Sequence, residues 1–170
     1  DQRLSRGLGD VYKRQRGLVS NLAKRPQGND RSQLKSIYAG ECDVAVINHY
    51  YYGKLTYSKN PDHRKWAKAS IIVFPNQGPD DRGAHVNISG GGVVKFSKNK
   101  ELAINFLEFL VTEEAQILYG DVNFEYPINN SFKLPARLKA LGKFKEDSLL
   151  IEEIAKIAPK AQEIIDKVYW

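Results

Sequence analysis

Residues 44–52 read VAVINHYYY, an apolar run of four residues followed by Asn48, His49 and three consecutive tyrosines. A short apolar run of this kind is typical of a buried strand in a parallel sheet. Ligands of such sheets bind outside the carboxyl ends of the strands, so the sequence predicts a binding site at residues 48–52. An ionised phenol is a hard oxygen donor, and hard trivalent cations prefer it to thiolate or imidazole.

The segment ahead of this run has the pattern of a helix. Asp30 is a suitable N-cap, Leu34, Ile37 and Tyr38 fall on one helical face, and Gly40 suits the position just after a helix. Further elements are predicted in this order: a strand at 70–74, a glycine-interrupted extended stretch at 84–94, a helix at 99–111, a short helix capped by Thr112 and ending at Gly120, and helices at 134–141, 149–157 and 159–168. Alternating strands and helices indicate an α/β fold.

From about residue 16 onward, several blocks occur in an order that is known from one protein family. They read GLV at 17–19, PQG at 26–28, AGECD at 39–43, NHYYYG at 48–53, GAHVNISGGG at 83–92, NFLEFL at 105–110 and EYPI at 125–128. On these blocks the chain resembles the ferric-iron-binding periplasmic proteins of bacterial ABC importers. The resemblance implies an α/β, type II periplasmic-binding-protein fold, present in part: mostly the C-terminal lobe, with a segment that returns to the N-terminal lobe.

The resemblance also implies a division of the chain. We expect residues 16–80 to form a segment of the C-terminal lobe with the iron-site tyrosines, residues 81–130 to cross to the N-terminal lobe, and residues 131–170 to supply helices that pack back on the C-terminal lobe. Residues 1–15 are interpreted as a non-native leader, because DVYKRQ at 10–15 is the translation of a sequencing-library adapter. Family members are about twice as long, so we expect a fragment whose exposed sheet edges favour aggregation.

The family's paired iron tyrosines match Tyr50 and Tyr51, which the resemblance implies as phenolate ligands of Fe(III). Adjacent residues of a regular strand point to opposite faces, so both can reach one ion only if the backbone turns there. Tyr52 is interpreted as a packing residue. Asn48 and His49 are candidates for contacting a synergistic anion, carbonate or phosphate, or for an outer-sphere position.

By the same resemblance, the expected function is extracytoplasmic capture of Fe(III) in an interlobe cleft and delivery to an ABC permease in the inner membrane. The expected protein is a periplasmic monomer whose signal peptide lies in the missing N-terminal part. The alternative is a solute-binding protein of the same fold for another small ligand: an oxyanion, a polyamine or an iron chelate.

Composition and motifs argue against other classes of protein. The 26 basic and 20 acidic residues give a formal charge of +6, but they are interspersed, which is typical of a solvated surface and not of a nucleic-acid-binding face. No nucleophile, P-loop or metalloprotease motif is present, so we expect no enzyme. The single cysteine, Cys42, rules out an internal disulfide and is expected to be a small buried thiol.

Overall fold

The computed structural model describes residues 2–170, with side chains from Gly9 onward. Eight helices occur in this part of the chain: α1 (Gln2–Ser20), α2 (Asp30–Tyr38), α3 (His49–Thr56), α4 (Pro61–Lys68), α5 (Lys100–Leu110), α6 (Glu113–Asn123), α7 (Ala136–Lys139) and α8 (Ile151–Val168). None of these helices is long and apolar enough to cross a lipid bilayer. Asp1 and the side chains of residues 2–8 lie outside the described part, so part of the predicted leader at 1–15 does too.

The predicted strands do not form a sheet within the described residues. Residues 44–47 and 70–74 are not helical and have no ladder partner, and the one β-type pairing is a parallel bridge between Ala84 and Glu146. Exposure alternates along the first two stretches: Val44, Val46, Ile71 and Val73 are 82%, 89%, 84% and 73% exposed, while the residues between them are half-buried. The prediction that these stretches are buried on both faces was wrong for the described chain, because alternate residues of each are exposed. A strand also requires a second strand to pair with, and the pattern of apolar residues does not show whether one is present.

Local signals placed several helix ends correctly. Gly40 has φ +71° just beyond α2, and the Thr112 side chain accepts a hydrogen bond from the Ala115 backbone N–H at the start of α6. Helix α5 lies within the predicted range 99–111. Asp30, the predicted N-cap, is instead the first helical residue of α2, so the helix begins one position earlier than predicted.

The predicted ends of α6, α7 and α8 were wrong. Helix α6 continues past Gly120 to Asn123, and Phe124 takes the left-handed conformation at its end. A Cβ at Gly120 would lie 3.0 Å from the Pro135 ring, so this glycine serves close packing and does not end the helix. Helix α8 runs through Pro159, where the sequence predicted a break between two helices. A proline removes one backbone donor, and tertiary packing can carry a helix across it. The helix predicted at 134–141 is shorter in the structure, where α7 spans only Ala136–Lys139.

Residues 30–147 form one compact unit. Its first apolar cluster contains Leu34 of α2, Leu55 of α3 and Ala67 of α4. Its second cluster contains Phe124, Leu138 and Leu141. Helix α3 contributes side chains to both clusters, because Tyr52 packs against each of them. The packing therefore fixes α3 from two sides.

Residues up to 29 and residues 148–170 form a second unit, in which α1 packs on α8. Val168 is buried, and Ile154, Ile164 and Ile165 of the same helix are half-buried. Helix α1 runs through position 15, where the leader was predicted to end. The domain boundaries at 15, 80 and 130 stay predictions.

Candidate tyrosine site

The paired tyrosines lie on a helix and not at the end of a strand. Helix α3 begins at His49, after Asn48, whose backbone is extended with φ −76° and ψ 133°. Tyr50 and Tyr51 are therefore the second and third helical residues. Successive side chains of a helix are about 100° apart instead of alternating by 180°. The two rings consequently lie together, with centroids 4.5 Å apart and planes inclined by 36°. Both tyrosines were predicted to reach one ion only if the backbone turns there, and the first turn of α3 is that turn.

Charged groups of both signs surround the pair. The pKa of Tyr50 is raised above its ordinary value, first by burial, then by its hydrogen bond with Tyr51, and then by the negative charges of Tyr51, Asp30 and Glu125. Two cations lie over the rings: Lys54 Nζ is 5.3 Å from the Tyr50 centroid, and the Arg31 guanidinium is 5.5 Å from the Tyr51 centroid. Without a cation bound at the oxygens, the neutral phenol is therefore the favoured form of Tyr50. A bound metal ion reverses this preference.

Asn48, at the start of the helix, is held by a distant carboxylate. Asp30 Oδ1 accepts from the Asn48 backbone N–H at 2.7 Å and from Asn48 Nδ2 at 3.3 Å. The Asn48 side chain makes no capping bond to α3. A carboxylate can only accept, so the amide nitrogen of Asn48, not its oxygen, faces Asp30.

His49 is anchored to a different part of the unit. Its Nε2 lies 2.7 Å from the Phe124 carbonyl oxygen, and because a carbonyl only accepts, Nε2 carries the proton and donates. Burial lowers the pKa of His49, against smaller opposing effects of this hydrogen bond and of Glu125. The ring also contacts Tyr126, with centroids 5.2 Å apart. An outer-sphere role for His49 stays a prediction, and its contacts show that it ties α3 to the end of α6.

Tyr52, the third tyrosine of the run, is a packing residue, as predicted. It is half-buried against both apolar clusters, and its hydroxyl points to the Ser70 carbonyl oxygen at 3.4 Å. Cys42 is only half-buried, so the expectation of a buried thiol was wrong. It lies after α2 between two exposed residues, Glu41 and Asp43.

Sequence reasoning missed the charged residues around the pair. Lys54 is four residues after Tyr50, so helical spacing could have found it. Asp30, Arg31 and Glu125 are distant in sequence, and no local pattern connects them to the tyrosines. No group of three or more His, Cys, Asp or Glu side chains suited to a metal ion occurs in the part of the chain that the structure describes.

Comparison with known proteins places this arrangement in context. Residues 21–117 match the family described as bacterial extracellular solute-binding protein. The chain is 39% identical over 155 residues to iron uptake protein A1 of Synechocystis sp., covering 91% of this chain and 42% of that protein. It thus spans about half the length of the curated relatives that it matches.

Solved structures give the same result in three dimensions. A ferric binding protein from Campylobacter jejuni superposes with a TM-score of 0.84 at 42% identity, over 90% of this chain and 48% of that one. A Trichodesmium protein solved with iron and citrate ligands gives a TM-score of 0.87 at 41% identity, over 96% of this chain and 51% of that one. The predicted fold class, part of a type II periplasmic-binding-protein fold, is confirmed.

Proposed function

Because the chain belongs to the family of bacterial extracellular solute-binding proteins, we propose that it is part of a protein that captures Fe(III) for an ABC importer. The single observation that carries the proposal is the Tyr50–Tyr51 pair, two adjacent phenols brought to 4.5 Å by the first turn of α3. Iron-binding proteins are also prominent among the relatives. One is named an iron uptake protein, and another a ferric binding protein.

Tyr50 and Tyr51 bind the ion as phenolates in this proposal. Fe(III) is a hard cation and favours anionic oxygen donors. Its charge offsets the burial and the neighbouring carboxylates that raise the pKa of the Tyr50 phenol in the free protein. The two phenolates are part of the coordination shell, and the opposite lobe of the whole protein supplies further ligands.

A synergistic anion, carbonate or phosphate, completes the shell. Asn48 is the residue of this chain assigned to it, because it lies two residues before Tyr50 and one N–H of its side-chain amide remains after Asp30 has accepted the other. Arg31 and Lys54 add positive charge beside the pair. This charge favours an anion at the same place.

The whole protein acts as a periplasmic carrier. Closure of two lobes around the ion is the conformational signal that the permease in the inner membrane recognises. We propose a monomer, since one chain with two lobes encloses one ion.

The test uses the full-length protein, with the upstream lobe restored, and titrates Fe(III) against a competing chelator. Tyr50→Phe and Tyr51→Phe are each expected to weaken binding by at least about tenfold and to reduce the visible phenolate-to-iron band, because each removes one anionic ligand. Binding should also weaken at acidic pH, since the ligands must lose protons. Tyr52→Phe is the matched control, because it removes a neighbouring phenol outside the pair. Unchanged affinity and an unchanged band in both pair variants would contradict the proposal.

A ferric chelate is the second ligand to test, because the Trichodesmium structure contains citrate beside iron. The titration is repeated with citrate present. If binding requires citrate in a fixed ratio to iron, the solute is ferric citrate and not the ion with a small inorganic anion.

A further inference from the structure

One carboxylate outside the tyrosine pair contacts Asn48, the residue at which the chain turns into α3. Asp30 lies at the start of α2, 18 residues before Asn48, and its Oδ1 accepts both the backbone N–H and the side-chain N–H of Asn48. Hydrogen bonds to an ionised carboxylate are shorter and stronger than neutral ones. The 2.7 Å bond to the backbone is the shorter of the two, so the main contact is to the chain and not to the side chain.

The contact continues into the helix. The Asn48 carbonyl accepts from the Tyr51 backbone N–H at 3.1 Å, so a short path of hydrogen bonds leads from Asp30 through Asn48 to Tyr51. Asn48 itself has an extended backbone, the point where the chain turns into α3. Fixing this residue fixes the direction in which the first turn of α3 leaves it.

Apolar packing does not provide this precision. Leu34 and Leu55 hold α2 and α3 together in the first apolar cluster, but such contacts are non-directional. A hydrogen bond has a narrow range of distance and angle. Arg31, the residue after Asp30, lies over the Tyr51 ring at 5.5 Å. Two successive residues of α2 therefore contact the helix start and one ring of the pair.

We propose that Asp30 is a positioning residue for iron capture: its carboxylate clamps Asn48 and so holds Tyr50 and Tyr51 in the geometry that receives the ion. This inference rests on the proposed function. It extends that function because it assigns a role to a residue that touches neither the metal nor the anion. The interaction acts through the backbone of the ligand-bearing turn, as outer groups do in other metal sites.

The experiment compares Asp30→Ala and Asp30→Asn in the full-length protein. Asp30→Ala removes the oxygen that accepts both hydrogen bonds and is expected to weaken Fe(III) binding by roughly 10- to 100-fold, the usual effect of losing an outer partner. The phenolate-to-iron band per bound iron should also decrease. Asp30→Asn keeps an amide oxygen that can accept from the Asn48 backbone, so it should recover most of the affinity and the band. Asp62→Ala is the matched control, because it removes an exposed carboxylate from the first turn of another helix, α4.

A second measurement requires no iron. Amide hydrogen exchange at Asn48 and Tyr51 should accelerate in Asp30→Ala and stay slow in Asp30→Asn and Asp62→Ala. If Asp30→Ala does not fold, Asp30→Ser replaces it, since serine is compatible with a helix start but is too short to reach Asn48.

The outcomes separate the two proposals. The positioning role is overturned if Asp30→Ala keeps the parent's Fe(III) affinity, phenolate-to-iron band and exchange rates. It is also overturned if Asp30→Asn loses as much Fe(III) affinity as Asp30→Ala does. If the parent protein itself shows no phenolate-to-iron band, the proposed function fails, while the exchange rates still test the clamp.

Discussion

Three consecutive tyrosines have different surroundings in this protein. The rings of Tyr50 and Tyr51 lie beside each other with cations over their faces, and Tyr50 also packs against the second apolar cluster. Tyr52, in contrast, packs against both apolar clusters. The difference follows from helical geometry, because each step along the helix rotates the side chain by about 100°. As a result, the rings of Tyr50 and Tyr51 lie side by side, and Tyr52 faces the apolar clusters.

Tyr126 shows how burial of a phenol affects stability. Its hydroxyl donates to the Gly142 carbonyl at 3.2 Å, and burial raises the pKa of Tyr126 above its ordinary value of 10.0. The folded state therefore resists ionisation that the unfolded state undergoes. The resulting stability is complete below pH 10.0 and is lost as the pH rises from there through the folded-state pKa.

We therefore expect Tyr126→Phe to reduce the alkaline loss of stability. The free energy of unfolding, measured by urea denaturation, should fall less between about pH 9 and about pH 11 in the variant than in the parent. Part of the alkaline loss of stability should remain in Tyr126→Phe, because the pKa of Tyr50 is also raised. Tyr169→Phe, at a position 90% exposed, is the control and should behave as the parent does. A parent and a Tyr126→Phe variant with the same pH dependence would show that Tyr126 does not contribute.

Helix α3 is the part of the fold on which the site depends, and it is held at several points along its length. Asp30 holds its start, His49 Nε2 donates to the Phe124 carbonyl, and Leu55 is buried in the first cluster. Gly53, in its middle, allows the Phe124 ring to approach: a Cβ there would lie 2.5 Å from two ring carbons. A glycine normally weakens a helix interior, so its presence here is explained by packing against the end of α6.

Gly53→Ala is accordingly expected to destabilise the protein despite alanine's better helix propensity. The clash with Phe124 should lower the free energy of unfolding by about 1–3 kcal/mol, the usual cost of overpacking. Gly17→Ala is the matched control, because it lies in a helix with open space around it and should gain about 0.5–1 kcal/mol. Chemical denaturation of both variants checks this. A gain in stability for Gly53→Ala would mean that the Phe124 ring moves without cost.

Many large apolar side chains are exposed in the described part of the chain. Val44 and Val46 on one extended stretch, and Ile71 and Val73 on another, point outward at alternate positions. Edges and faces of this kind promote association with other chains. The relatives are about twice as long as this chain, and the sequence pattern of both stretches is that of strands in a sheet.

We expect the isolated 170-residue chain to self-associate, and a double variant with Val46→Thr and Ile71→Thr to associate less. Threonine keeps the β-branched shape and removes apolar surface. Sedimentation velocity should show a smaller average mass, while the free energy of unfolding changes by less than about 0.5 kcal/mol, since both sites are exposed. Ile157→Thr, a substitution at an exposed position of α8, is the control. If the double variant and the parent associate equally, the contact between chains involves residues other than Val46 and Ile71.

Local features of this protein could be predicted from its residues alone. Thr112 caps α6 because its hydroxyl accepts from an amide three residues away, and Gly40 follows α2 because glycine tolerates positive φ. Neighbouring residues carry these signals, so no distant contact is needed. The tyrosine pair could likewise be recognised, because the two phenols and the family pattern around them consist of residues adjacent in sequence.

Distant contacts lay beyond such reasoning. The start of α3 at His49, the bond from Asp30 to Asn48, and the passage of α6 through Gly120 all depend on packing between parts of the chain that are far apart in sequence. The continuity of α8 through Pro159 runs against the local preference of proline. The physical reason is common to all four: each local preference amounts to a few kcal/mol at most, and the tertiary contacts of a folded unit can exceed it.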